Sequence, residues 1–198
     1  MLAAFGAVPA CRWDRRVRVI PILQTERLIL RAPDGDDLHA WSVIMADPDV
    51  TRYIAPAPMT REDAWRSIAG ALGHWHLRGY GSWAVERKSD GAMMGRVGMM
   101  NPEGWPGLEI GWTLGKAYWG HGYATEAAAA AMRFAFLTQP VERLISNIDP
   151  DNTPSQAVAV RLGETKGERS ALTVAGKEYP IDIWAISRGE WQRRVAGG

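Results

Sequence analysis

Between Leu108 and Thr138 the chain passes from a strand-like segment through a loop with glycines at 120 and 122 into a helix containing five consecutive alanines, Ala127–Ala131. This order constrains the fold more than any other feature. The first-turn N–H groups of a helix lack internal partners and lie at the positive end of its dipole, so a glycine loop ahead of a helix makes an anion cradle. Gly120 and Gly122 leave no Cβ in the way of a phosphate, and the alanines let the helix lie close on a sheet. Taken alone, two glycines before a helix are equally a structural turn. A GxxxxGK[ST] phosphate loop is absent. The G-x-G-x-x-G dinucleotide pattern fails because its third glycine would fall on Thr125, with no early β-α-β unit around it. ATP and NAD are therefore disfavoured.

Length and charge narrow the rest. The 198 residues suit one domain with its own core. No apolar run approaches the roughly 18 residues of a membrane span. Basic and acidic side chains number 23 and 22, too balanced for a protein held to nucleic acid by phosphate contacts. Cys11 is alone and cannot form an internal disulfide, which fits a reducing compartment and a cytoplasmic location. The histidines, His39, His74, His76 and His121, lack zinc-ligand spacing, so no metal is expected. Residues 1–20 carry Arg12, Arg15, Arg16 and Arg18 against Asp14 and read as a loosely ordered basic extension, with a mitochondrial-type leader or a basic contact arm as alternatives. The folded domain is placed at 21–198.

Periodicity gives seven strands and four helices. Strands are expected at Ile22–Arg31, Ser82–Lys88, Met93–Met100, Leu108–Leu114, Val141–Ile148, Thr165–Val174 and Tyr179–Ser187. Helices are expected at Asp34–Ala46, from a Thr60 cap to the Gly79–Gly81 cluster, at Gly122–Thr138 and at Thr153–Leu162. In the second helix Ala64, Trp65, Ile68, Ala69, Leu72, Trp75 and His76 form one apolar stripe. Short turns between the middle strands favour an antiparallel meander. The result is a mixed α/β (α+β) domain, one largely antiparallel sheet with helices packed on it.

Tyr118-Trp-Gly-His-Gly-Tyr-Ala-Thr-Glu-Ala127, preceded by Glu109-Ile-Gly-Trp112 and followed by Asn152-Thr-Pro-Ser155 and Leu162-Gly163, resembles the GNAT superfamily of acyl-CoA N-acyltransferases. Within it the chain is similar to the RimJ/RimL-like branch, as is the Thr25–Arg31 opening. The resemblance covers residues 22–191 and implies a GNAT-like fold with acetyl-CoA as cosubstrate. The family's Q/R-x-x-G-x-G/A motif maps onto Trp119–Ala124. The N–H groups of Gly120, His121, Gly122, Tyr123, Ala124 and Thr125 would then hold the CoA pyrophosphate, with the Thr125 hydroxyl helping. Trp119 stands in place of the usual Gln or Arg. The strand Ile110–Leu114 would splay from the strand at 146–149, the pantetheine arm would pair with backbone at Trp112, Thr113 and Leu114, and Gly111 suits a bulge.

Acyl transfer needs an amine relieved of its proton and a donor to the departing thiolate. The resemblance assigns Glu109 as base, directly or through water, Ser155 as acid, and Asn152 to the cofactor arm. Read from the residues alone, Glu109 is equally an outward-facing strand carboxylate, Ser155 a first-turn serine satisfying backbone, and Asn152 a turn residue. His121 reads as a solvated loop residue. Glu164 stands where the family has Phe, which bears on packing at that corner. Trp41, Trp65 and Trp75 are core residues or walls of an acceptor site. The expected activity is N-acetylation of a primary amine, a protein N-terminus or a small molecule, by direct attack in a ternary complex. An idle acyl-CoA sensor is the alternative. The acceptor is open between those two classes, and a homodimer is left open.

Overall fold

The computed structural model describes residues 19–174 and 177–197. Most of the 1–20 extension lies outside the described residues. Eight strands form one sheet: β1 (Leu23–Gln24), β2 (Leu28–Arg31), β3 (Ser82–Arg87), β4 (Met93–Met100), β5 (Glu109–Leu114), β6 (Arg143–Ile148), β7 (Thr165–Val174) and β8 (Lys177–Ser187). Their order is β1-β2-β3-β4-β5-β6-β8-β7. Every neighbouring pair is antiparallel except β5 and β6, which are parallel. Among the described residues six α-helices accompany them, α1 (Asp37–Ala46), α2 (Pro48–Thr51), α3 (Arg61–Arg78), α4 (Tyr123–Thr138), α5 (Thr153–Leu162) and α6 (Arg188–Ala196), with a 3-10 turn at Lys116–Tyr118. No helix among the described residues is long and apolar enough to cross a membrane.

Alternation divides the sheet into two faces. Ile110 and Leu114 of β5 and Val97 and Met99 of β4 pack in the core under α4, whose Ala127, Ala128, Ala131 and Ala135 are fully buried. Those small residues allow the close approach that the alanine run implies. Arg96, between Met94 and Val97, turns the other way: its Nη1 donates to Ser67 O of α3 at 2.7 Å and its guanidinium lies 4.2 Å over Trp41 of α1. Glu109 and Thr113 alternate with Ile110 and Leu114 and therefore share the face that carries α1 and α3.

Several expectations are corrected. The single strand at 22–31 is a hairpin, because Thr25 N donates to Leu28 O and folds β1 back on β2 with Leu23 opposite Leu30. The first helix starts at Asp37, not Asp34, since the Asp37 carboxylate turns back to accept from Asp34 N and to bind Arg31. The stripe of α3 is narrower than expected: Ala64, Ile68 and Trp75 are buried, while Trp65 is 58% exposed and Ala69, Leu72 and His76 face solvent. Trp41 and Trp75 are core, with Trp41 donating to Ser67 Oγ and Trp75 to Ser82 O. Gly111 makes no bulge. It pairs in register with Gly98, and the irregularities fall between Val85 and Glu86 of β3 and between Lys166 and Arg169 of β7. Two helices were missed. α2 is a single turn capped by Asp47, and α6 opens with a Ser187–Glu190 capping box.

Candidate active site

β5 and β6 pair only at Glu109 and Ile145. Ile145 N donates to Leu108 O at 3.0 Å, and beyond this rung the strands part. Because Leu108 O faces β6, the peptide groups of Ile110, Trp112 and Leu114 face it too by alternation. Two of their carbonyls are occupied: Ile110 O accepts from Ser146 Oγ at 2.8 Å, and Leu114 O accepts from the Trp119 indole at 2.7 Å. The Trp112 peptide is left open to the gap.

The gap leads into a cavity of about 850 Å³. Its walls are Asp49, Val50 and residues 52–54 from α2 and the loop after it, Trp112–Leu114 of β5, the 118–125 loop, and residues 151–155, Ala157, Val158 and Arg161 at and after the start of α5. All eleven residues expected to bind the cofactor line it: Trp112, Thr113, Leu114, Trp119, Gly120, His121, Gly122, Tyr123, Ala124, Thr125 and Asn152. So does Ser155. Glu109 does not. It lies three residues back from Trp112, about 10 Å along an extended strand.

The cradle has the expected form. Gly120 and Gly122 adopt φ of +78° and +79°, a left-handed backbone that side chains with a Cβ rarely take. A Cβ at Gly120 would stand in open space. The first N–H of α4 to close on a carbonyl is that of Glu126, onto Gly122 O at 3.0 Å, so the preceding groups remain available. Thr125 Oγ1 is buried without a partner among the described residues. Free N–H groups, an orphaned hydroxyl and room for a Cβ together fit a bound phosphate. Glu126 braces the loop from below, accepting from Thr25 Oγ1 and from Arg27, which also donates to His121 O at 3.0 Å. His121 itself is exposed.

Ser155 and Asn152 sit at the start of α5. Asn152 Oδ1 caps the helix by accepting from Ser155 N at 3.2 Å, which leaves its amide N–H groups for the cavity. Ser155 Oγ accepts from Trp112 Nε1 at 3.3 Å, so its own proton is uncommitted among the described residues. Asn152 thus meets its structural reading as a turn residue, whereas the Ser155 hydroxyl satisfies no backbone group, and neither contact uses up the donors that the chemistry needs.

Glu109 is not outward-facing. It is 8% exposed, and its Oε2 accepts from Trp105 Nε1 and from Asn147 Nδ2, the latter at 2.7 Å. Oε1 remains beside Gly111, whose Cβ would stand 3.7 Å from it, so the missing side chain keeps that oxygen approachable. Burial pushes the carboxyl up to about 7, against the two hydrogen bonds that pull it down. On the α4 side of the sheet lies a second buried acid, Glu164, with Oε1 3.0 Å from Ser146 Oγ. Burial pushes it up to about 8, and the Glu109 charge adds to the effect. Trp105, Asn147, Ser146 and the role of Glu164 were missed in the sequence. These contacts join residues 4 to 38 positions apart, and no local pattern marks them.

A family model described as Acetyltransferase (GNAT) domain matches residues 27–165. The chain is 30% identical over 168 residues to an uncharacterized N-acetyltransferase p20 of Bacillus licheniformis, covering 83% of this chain and 94% of that protein. It is 24% identical over 183 residues to the [ribosomal protein uS5]-alanine N-acetyltransferase of Escherichia coli, covering 85% and 92%. Its fold superimposes on the crystal structure of an acetyltransferase from Agrobacterium tumefaciens with a TM-score of 0.73 at 31% identity, covering 85% and 95%. The chain belongs to the GNAT acetyltransferase family and is an acyl-CoA-dependent acetyltransferase.

Proposed function

We propose that this protein transfers an acetyl group from acetyl-CoA to a primary amine by direct attack within a ternary complex. The observation that carries the proposal is the cradle at Gly120–Thr125, opening on the gap between β5 and β6, with a buried carboxyl at the foot of that gap. The cosubstrate supplies the activated acyl group. The chain's own residues bind and orient it and move protons. The cradle N–H groups and Thr125 Oγ1 hold phosphate, the open Trp112 peptide pairs with the pantetheine arm, and the Asn152 amide donates to it. Ser155 holds the proton for the departing sulfur. Glu109 Oε1 takes the proton of the amine, directly or through one water, at a pKa suited to neutral pH.

The α1 and α3 face, on which Glu109 opens, receives the acceptor. The uS5-alanine relative supports a protein N-terminal amine as the first acceptor to test. A cytoplasmic location fits such an acceptor. The experiment is a thiol-release screen with acetyl-CoA across peptides of different N-termini, polyamines, aminoglycosides and amino acids. Transfer to a primary amine supports the proposal. CoA binding without transfer to any amine would leave an idle acyl-CoA sensor instead.

A further inference from the structure

Ser146 Oγ lies between two oxygens, Ile110 O at 2.8 Å and Glu164 Oε1 at 3.0 Å. A serine hydroxyl carries one proton, and a peptide carbonyl can only accept. The proton is therefore directed at Ile110 O; otherwise that contact is two lone pairs facing each other. With it so directed, Ser146 offers Glu164 only a lone pair, and the 3.0 Å contact is a hydrogen bond when Glu164 carries a proton. Glu164 is 3% exposed, and its Oε2 is buried without a partner among the described residues. An ionised carboxylate would leave that oxygen charged and unsolvated, a neutral acid only mildly unsatisfied.

Ile110 O is the acceptor immediately beyond the last β5–β6 rung, and Ile110 follows Glu109 in the chain. We propose that Glu164 is a positioning residue for acyl transfer: as a neutral carboxylic acid it donates to Ser146, which donates to Ile110 O, and this chain fixes β5 at the point where the strands part. The geometry of the gap and the placement of Glu109 then depend on a hydrogen-bonded acid that touches neither substrate.

The surroundings favour the neutral form. Glu109 on β5 is the charged group whose field reaches Glu164, and it opposes ionisation. On β8, Asp182 is neutralised by Lys166 and Arg169. On α6, Arg194 lies over Gly163 but donates to Arg161 O. No cation is paired with Glu164 among the described residues.

The kinetic arm of the test rests on the acetyl-transfer proposal, whereas the spectroscopic arm stands without it. Difference infrared spectra of the full chain and of Glu164→Gln, both shown folded by circular dichroism, should reveal near pH 6 the carbonyl band of a protonated carboxylic acid that the variant lacks. In kinetics, Glu164→Leu cannot donate and should lower kcat about tenfold with KM for acetyl-CoA little changed. Glu164→Gln, whose amide donates to Ser146, should recover most of that loss and shift or remove the fall in kcat above about pH 8. Absence of the acid band near pH 6, or an alkaline fall identical in wild type and Glu164→Gln, would overturn the proposal. If no amine is acetylated, the infrared result still decides whether Glu164 is neutral.

Discussion

The Trp119 indole N–H donates to Leu114 O at 2.7 Å, so a residue that departs from the family's usual Gln or Arg takes up one end of the open strand. The departure exchanges a phosphate contact for a brace between the cradle loop and β5, and it makes Trp112 the unoccupied peptide in the gap. Trp119→Phe keeps the ring and deletes the bond. A neutral hydrogen bond is worth about 0.5–1.5 kcal/mol, so CoA affinity measured by calorimetry should fall roughly 2- to 12-fold. Unchanged affinity would mean that the brace does not shape the site.

Glu109, with a pKa of about 7, is the proposed base, and in that role it should set the acid side of the rate profile. The proposed active form is the carboxylate, so kcat/KM should rise through neutral pH. Glu109→Gln keeps size and removes basicity. It should cost roughly 10²- to 10⁴-fold near pH 7, with partial recovery at high pH, where free amine becomes abundant. Full activity of this variant across pH 6–9 would eliminate Glu109 as base. Because Glu109 and Glu164 interact, the apparent values read from such a profile belong to the pair.

The same two acids tie folding stability to pH. Both have folded pKa values above the ordinary 4.5, at about 7 and about 8. Between 4.5 and those values the folded state binds more protons than the unfolded state, so stability falls as pH rises through that range. Thermal unfolding should give a higher Tm near pH 5.5 than near pH 8.5, and Glu109→Gln should narrow the difference. Asp182, held down to about 2 by Arg169 and Lys166, acts in the opposite sense: its contribution is present above about 4 and lost as pH falls toward 2, below the window compared. A Tm that rises steadily from pH 5.5 to 8.5 would contradict the assignment.

Ser155→Ala removes the proposed proton donor to the departing thiolate, a role that acts only as the thiolate leaves. It should lower kcat modestly with little change in CoA affinity, since the thiolate leaves tolerably without help. An unchanged kcat at saturating substrates would return Ser155 to a helix-start role beneath Trp112.

What the sequence made legible was local. The Gly120–Gly122 loop ahead of the alanine run announced the cradle, Thr60 with Asp63 announced the start of α3, and alternation at Leu28 and Leu30 announced their burial. The Ser187–Glu190 capping box was equally local and would have revealed α6. What stayed hidden was made by distant residues. Arg188 ties α6 to the end of α4 through Phe136 O and Gln139 O, and Glu164 reaches Ser146 and the field of Glu109. Glu109 read as outward-facing because strand alternation says which residues share a face, not whether Trp105 and Asn147 will cover it.

The central claim is that the 120–125 loop holds the phosphates of acetyl-CoA. Its most direct test is titration of CoA into wild type and Gly122→Val, with Gly91→Val as control because Gly91, at φ +69° in the β3–β4 turn, carries comparable backbone strain in open space. Wild type and the control should bind alike and gain about 2.7 kcal/mol of stability at a hundredfold excess of CoA over its Kd. Gly122→Val, shown folded, should bind no CoA. Equal affinity in all three proteins would contradict the account.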